Sequence, residues 1–156
     1  VSQIADPAAA RAYQRERYLL GFAGLVPFVA GVAALLLSDD PRAIDVATRS
    51  LTVYAAVIAS FLGAVHWGIA AEVDDARRRA HLRWGVTPAL AAWVLLLLPA
   101  PAALLGFALL FGMILAVDHM VLPALDDDYR RLRLQLTVVV VVLLLAAAAL
   151  APAGPP

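Results

Sequence analysis

Apolar residues in this chain gather into long runs divided by short charged stretches, and run length decides what each can form. A helix that crosses the hydrocarbon core of a bilayer needs about 20 apolar residues. Tyr18 to Leu37, Leu51 to Ala71, Ala102 to Leu122 and Leu134 to Ala151 meet that length. Trp84 to Leu98 is shorter and covers only about 22 Å as a helix. A crossing there needs a thinned bilayer or residues borrowed from its flanks. It meets the next run through Pro99-Ala100-Pro101, which leaves room only for a tight hairpin. The pattern predicts an all-α, polytopic bundle of about five transmembrane helices, one domain over residues 1–156. Residues 84–122 form either two crossings or a re-entrant hairpin, whose two ends share one side in both cases.

Charge then orients the bundle. Arg11, Arg15 and Arg17 precede the first run, Arg77, Arg78, Arg79 and Arg83 follow the second, and Arg130, Arg131 and Arg133 precede the last. Only Arg42 and Arg49 fall on the other side. The excess of arginine in cytoplasmic loops predicts a cytoplasmic N-terminal segment, 1–17, and a C-terminus on the far face. The first run is longer than a signal-peptide core and ends in Ser38-Asp39-Asp40 without a small-residue cleavage site, so we expect it to be retained.

Local signals mark the helix ends. Asp6-Pro7 and Asp40-Pro41 each read as an N-cap followed by proline in the first turn. Asp126, Asp127 and Asp128 stand where the last helix should start, four residues before Arg130 and Arg131, and Asp75 has the same spacing to Arg79. Two readings of these charges stay open. They form a solvated, paired helix surface, or Arg77, Arg78, Arg79, Arg83, Arg130, Arg131 and Arg133 hold anionic lipid headgroups such as cardiolipin.

Composition adds exclusions. Hydrophobic residues make up 63% of the chain, and the mean hydropathy is +0.86. Twelve arginines balance twelve acidic residues, so nucleic acid is not an expected partner. The chain has no cysteine, which removes disulfides, thiolate metal sites and cysteine nucleophiles. No metal site is expected. Arginine without lysine, with abundant alanine, fits a GC-rich bacterial genome. No internal repeat is visible, inverted repeats of the transporter kind included.

A few polar residues inside the runs need explaining. His66 lies six residues before Glu72, about 9 Å from the helix end, on a face shared with Ala55, Ala59, Gly63 and Ala70. Small residues on one stripe let a neighbouring helix approach, so His66 should point into the bundle. Asp118 and His119 come late in the fourth run, and we expect Asp118 at the interface, paired with a loop arginine. His119 shares a face with Ala108, Gly112 and Ala116, which suggests an inward aspect. Gln135 and Thr137 open the last run at a comparable level. Three roles compete for this inner-leaflet cluster. It is a hydrogen-bonded plug between helices, a proton or ligand site, quinone and lipid included, or a haem site with His66 and His119 as axial ligands. Ser60 lies on a different face from His66 and no nucleophile elbow is present, so a hydrolase is not expected. Pro27 should kink the first span, with Gly21 and Gly24 allowing close packing. Trp67 and Trp84 suit an interfacial belt, and Trp93, near a Pro88 kink, is expected in the core.

The run from Tyr54 through Ser60-Phe61-Leu62-Gly63-Ala64-Val65-His66-Trp67-Gly68 resembles the signature of a family of small bacterial membrane proteins. That family carries a domain of unknown function and is related to the mitochondrial transmembrane protein 69. Leu20 to Phe28, Pro88 to Trp93 and Tyr129 to Thr137 extend the likeness over nearly the whole chain. Ala64 departs from it where a second glycine is common, and His119 takes the place of a basic neighbour to the acidic residue at 118. The resemblance implies an inner-membrane location and a compact helical bundle and implies no activity; Gly63 and Gly68 are expected helix-packing positions. The sequence therefore points to a non-catalytic scaffold, accessory subunit or assembly partner in a membrane complex. The alternative is a ligand-binding or proton-conducting protein built around His66.

Overall fold

A computed structural model describes residues 7–121 and 127–152. Among these described residues six helices follow one another: α1 Pro7–Ala23, α2 Val26–Leu37, α3 Pro41–Ala70, α4 Asp75–Leu95, α5 Ala100–Val121 and α6 Asp127–Leu150. Among the described residues four stretches are long and apolar enough to cross a membrane: Arg11–Leu37, Pro41–Ala70, Ala100–Val121 and Asp127–Leu150. The fold is thus all-α and multi-pass. The run 84–98 occupies the second half of α4 and the turn after it. It is not among the four, because α4 opens on an arginine-rich first half.

The helix starts follow their capping residues. Asp40 accepts the Arg42 N–H at 3.0 Å with Pro41 in the first turn, so α3 begins ten residues ahead of its apolar run. Asp74 does the same for α4, accepting from the Arg77 N–H at 3.0 Å. Asp75 pairs with Arg78 at 2.7 Å rather than with Arg79 as its spacing suggested. On a helix the third residue on is as near as the fourth. Asp6 and Asp126 lie outside the described residues.

The bend expected at Pro27 appears as a two-residue turn just upstream of it, within one membrane-length stretch. Proline has no N–H to return to the Ala23 carbonyl, and α1 stops there, while Pro27 sits in the first turn of α2. The Tyr54 hydroxyl donates to the Gly24 carbonyl at 3.0 Å and so satisfies a group at the turn. We expect Tyr54→Phe to destabilise the bundle by about 1 kcal/mol, read as a small drop in the unfolding midpoint in detergent. An unchanged midpoint would mean that the carbonyl finds another donor.

Phe28, Leu51, Leu104, Phe107, Phe111 and Ile114 form the centre of the core. Phe28 meets the rings of Tyr54 and Phe111 edge-on. Pro88 is buried inside α4, and the helix runs through it. Trp93 is not in the core. It is 62% exposed, because Pro88 and Ala92 occupy the inward stripe of α4 and turn Trp93 outward. The outer surface carries many other apolar side chains, among them Leu19, Leu36, Phe61 and Leu109, as a bundle solvated by lipid would.

Candidate functional site

The small-residue stripe of α3 does place His66 inside. Ala55, Ala59, Gly63, His66 and Ala70 are all buried. At Gly63 a Cβ would lie 2.7 Å from the Gly85 carbonyl oxygen of α4, so the two backbones nearly touch. That approach carries His81, one turn before Gly85, onto His66. Their Nδ1 atoms are 3.0 Å apart. On the opposite side of the ring, His66 Nε2 is 3.0 Å from Asp118 Oδ1 of α5. Arg133 of α6 donates through Nη2 to Asp118 Oδ2. Trp84 closes the group, edge-on to the His66 ring with centroids 6.4 Å apart.

Four helices therefore meet in one polar chain, Arg133–Asp118–His66–His81. His66 is 1% exposed, His81 3% and Asp118 8%. The hydrogen-bond roles follow from chemistry. An ionised carboxylate only accepts, so Nε2 of His66 is the donor to Asp118. With Nε2 of a neutral His66 carrying its hydrogen, Nδ1 of the same ring accepts, so His81 donates through its own Nδ1.

The other expected site residues are spread more widely. Thr137 is buried on α6, one turn beyond Arg133. Gln135 is exposed on the same helix. His119 is half-buried and hydrogen-bonds through Nδ1 to the Leu115 carbonyl of its own helix at 2.8 Å. The face of α5 that turns inward is the bulky one, Leu104, Phe107, Phe111, Ile114 and Asp118. Of the small residues expected beside His119, Ala108 is buried, but Gly112 and Ala116 are exposed, with open space beside Gly112. His119 therefore does not converge with His66. Both nitrogens of His66 are engaged, which leaves no lone pair for a haem iron. Among the described residues no group of three or more His, Asp or Glu side chains is placed to hold a metal.

Asp118 pairs with an arginine as expected, but Arg133 belongs to the second turn of α6 rather than to a loop. Gly21 packs tightly, a Cβ there lying 3.0 Å from Leu136 Cδ1, whereas nothing lies within 4 Å of one at Gly68. His81 is the residue that sequence reasoning missed. Its signal is the stripe His81, Trp84, Gly85, Pro88 and Ala92 at steps of three and four, visible only if the helix starts at Asp75.

Residues 13–149, which include the whole polar chain, match the family described as "Protein of unknown function (DUF3429)". The chain belongs to this family. It is also 33% identical over 123 residues to Transmembrane protein 69 of Xenopus tropicalis, covering 76% of this chain and 48% of that protein. The chain thus spans about half the length of that relative. No solved structure matches.

Proposed function

We propose that this DUF3429 protein is a non-catalytic helical scaffold, an accessory subunit or assembly partner in a membrane complex, held together by the buried polar chain. One observation supports this above the others. Both ring nitrogens of His66 and both oxygens of Asp118 are taken up by side chains from other helices. A clasp so closed leaves no open valence at its centre for a substrate.

The topology within this proposal is five crossings, N-terminus inside, in a bacterial inner membrane. Gln14 bonds Asp128 at 3.0 Å and Arg17 lies over Tyr129, which bring the middle of α1 to the start of α6. The polar chain joins them to the start of α4 and the ends of α3 and α5. Ten arginines therefore gather at one end, in keeping with a cytoplasmic face. At the other end Leu96 and Leu98 share a cleft with Asp45 and Thr48, which supports a full crossing by α4 rather than a re-entrant hairpin. Arg79, Arg83 and Arg131 are exposed, in keeping with contacts to anionic lipid.

The test is a comparison of two variants in native membranes. His66→Gln keeps a hydrogen-bonding group and is expected to preserve folded yield and whatever membrane partner co-purifies. His66→Leu is expected to lose both. Equal yields would overturn the clasp. A second reading rests on the single hydrogen between two imidazoles, which is the geometry of a proton relay. Proton flux in reconstituted vesicles that vanishes in His81→Leu would favour that reading over the scaffold.

A further inference from the structure

Beside the clasp, an open cleft of about 270 Å³ runs between α1, α2, α3 and α6. Arg17, Tyr129 and Arg133 line it at one end, and Leu25, Phe28 and Val140 line it at the other. Arg17 and Phe28 are eleven residues apart, and so are Tyr129 and Val140, so the cleft follows the helices for about 16 Å. Its walls between those ends are apolar apart from Thr137, with Leu20, Ile58 and Leu62 among them. Leu20 and Phe61, 67% and 66% exposed, flank the opening toward the surrounding lipid.

The cleft thus has a direction, cationic where the arginines gather and hydrocarbon-like beyond. The Arg17 guanidinium is held there over the rings of Tyr13 and Tyr129, at 5.7 and 5.5 Å from their centroids. Arg133 spends one Nη on Asp118, while its buried Nε meets no acceptor among the described residues. A guanidinium binds phosphate oxygens through several donors at once. We propose that the cleft is a site for one anionic membrane phospholipid, whose phosphate lies at Arg17 and Arg133 and whose acyl chain lies along α1, α2 and α6. This is a bound lipid in a shaped cleft, distinct from diffuse attraction to the exposed arginines of α4 and α6.

The test uses the full chain, delipidated in mild detergent and titrated with phosphatidylglycerol or phosphatidylcholine of identical acyl chains, with retained lipid counted by native mass spectrometry. One phosphatidylglycerol should be retained at least tenfold better than phosphatidylcholine. Arg17→Gln should bring the two lipids level, Arg17→Lys should keep part of the preference, and Ile58→Trp, which fills the cleft, should reduce retention of both. Equal retention of the two lipids by the wild-type protein would overturn the proposal. So would a preference unchanged in both Arg17→Gln and Ile58→Trp, which would assign it to the exposed arginines. Should either variant fail to fold, the wild-type comparison still decides.

Discussion

Asp118→Asn is expected to destabilise the bundle by about 3–5 kcal/mol, the usual penalty for stranding one member of a buried ion pair. The carboxylate offers acceptors on both sides, one to His66 and one to Arg133. An asparagine has one oxygen and one amide nitrogen in the same places. If its oxygen faces His66, its N–H₂ points at the Arg133 guanidinium, donor against donor. If it faces Arg133, His66 can change tautomer and accept from the amide, but the guanidinium still loses its counter-charge. The charge is the larger loss, because the Arg133 side chain is only 12% exposed. The double variant Asp118→Leu/Arg133→Leu removes both charges and should be more stable than Asp118→Asn, since replacing a buried pair with apolar side chains is often tolerated. Reversible unfolding of the purified protein in mixed detergent micelles checks both. A change in Asp118→Asn no larger than about 0.5 kcal/mol, as for a surface substitution, would show that water rather than the bundle solvates the carboxylate.

That carboxylate was visible in the sequence, and so was His66, but the way they connect was only half legible. Run length and capping residues gave helix positions well, because the bilayer leaves little choice to an apolar run of sufficient length. Facing direction was harder. A helix that is apolar all round has no polar side to mark its exterior, so small residues served as the guide. On α3 they worked, since Ala55, Ala59 and Gly63 are all buried and Gly63 lies against Gly85 and Pro88 of α4. On α5 they misled, because the core there is filled by Phe107 and Phe111 and the small stripe of Gly112 and Ala116 faces out. His119 was placed inward on that basis. His81 was lost for a different reason. Measuring the third apolar run from Trp84 discarded the arginine-rich turns before it, although they belong to the same helix and carry the second imidazole of the clasp.

The two glycines flanking His66 should answer substitution in opposite ways. At Gly63 an added methyl would meet the Gly85 carbonyl oxygen at 2.7 Å and the Pro88 ring at 3.0 Å. Neither neighbour is a flexible chain end, because one is backbone and the other a fully buried proline. Gly63→Ala can therefore be accommodated only by moving α3 away from α4. His66 follows Gly63 by one turn and His81 precedes Gly85 by one turn, so the shift falls directly on the 3.0 Å contact between the imidazoles. Overpacking of this kind costs about 1–3 kcal/mol, with loss of the shared hydrogen bond expected in addition. Gly68→Ala meets nothing within 4 Å, and alanine favours a helix over glycine by up to about 1 kcal/mol. That variant should match or exceed the wild-type unfolding midpoint. Gly85→Ala should fall between them, because its new methyl meets mainly the side chain of Trp67, which is 56% exposed, and approaches the Gly63 carbonyl oxygen less closely, at 3.1 Å. The order Gly68→Ala, Gly85→Ala, Gly63→Ala from most to least stable tests the α3–α4 contact directly. A Gly63→Ala protein as stable as Gly68→Ala would mean that the helices stand further apart and that His66 and His81 do not share a proton.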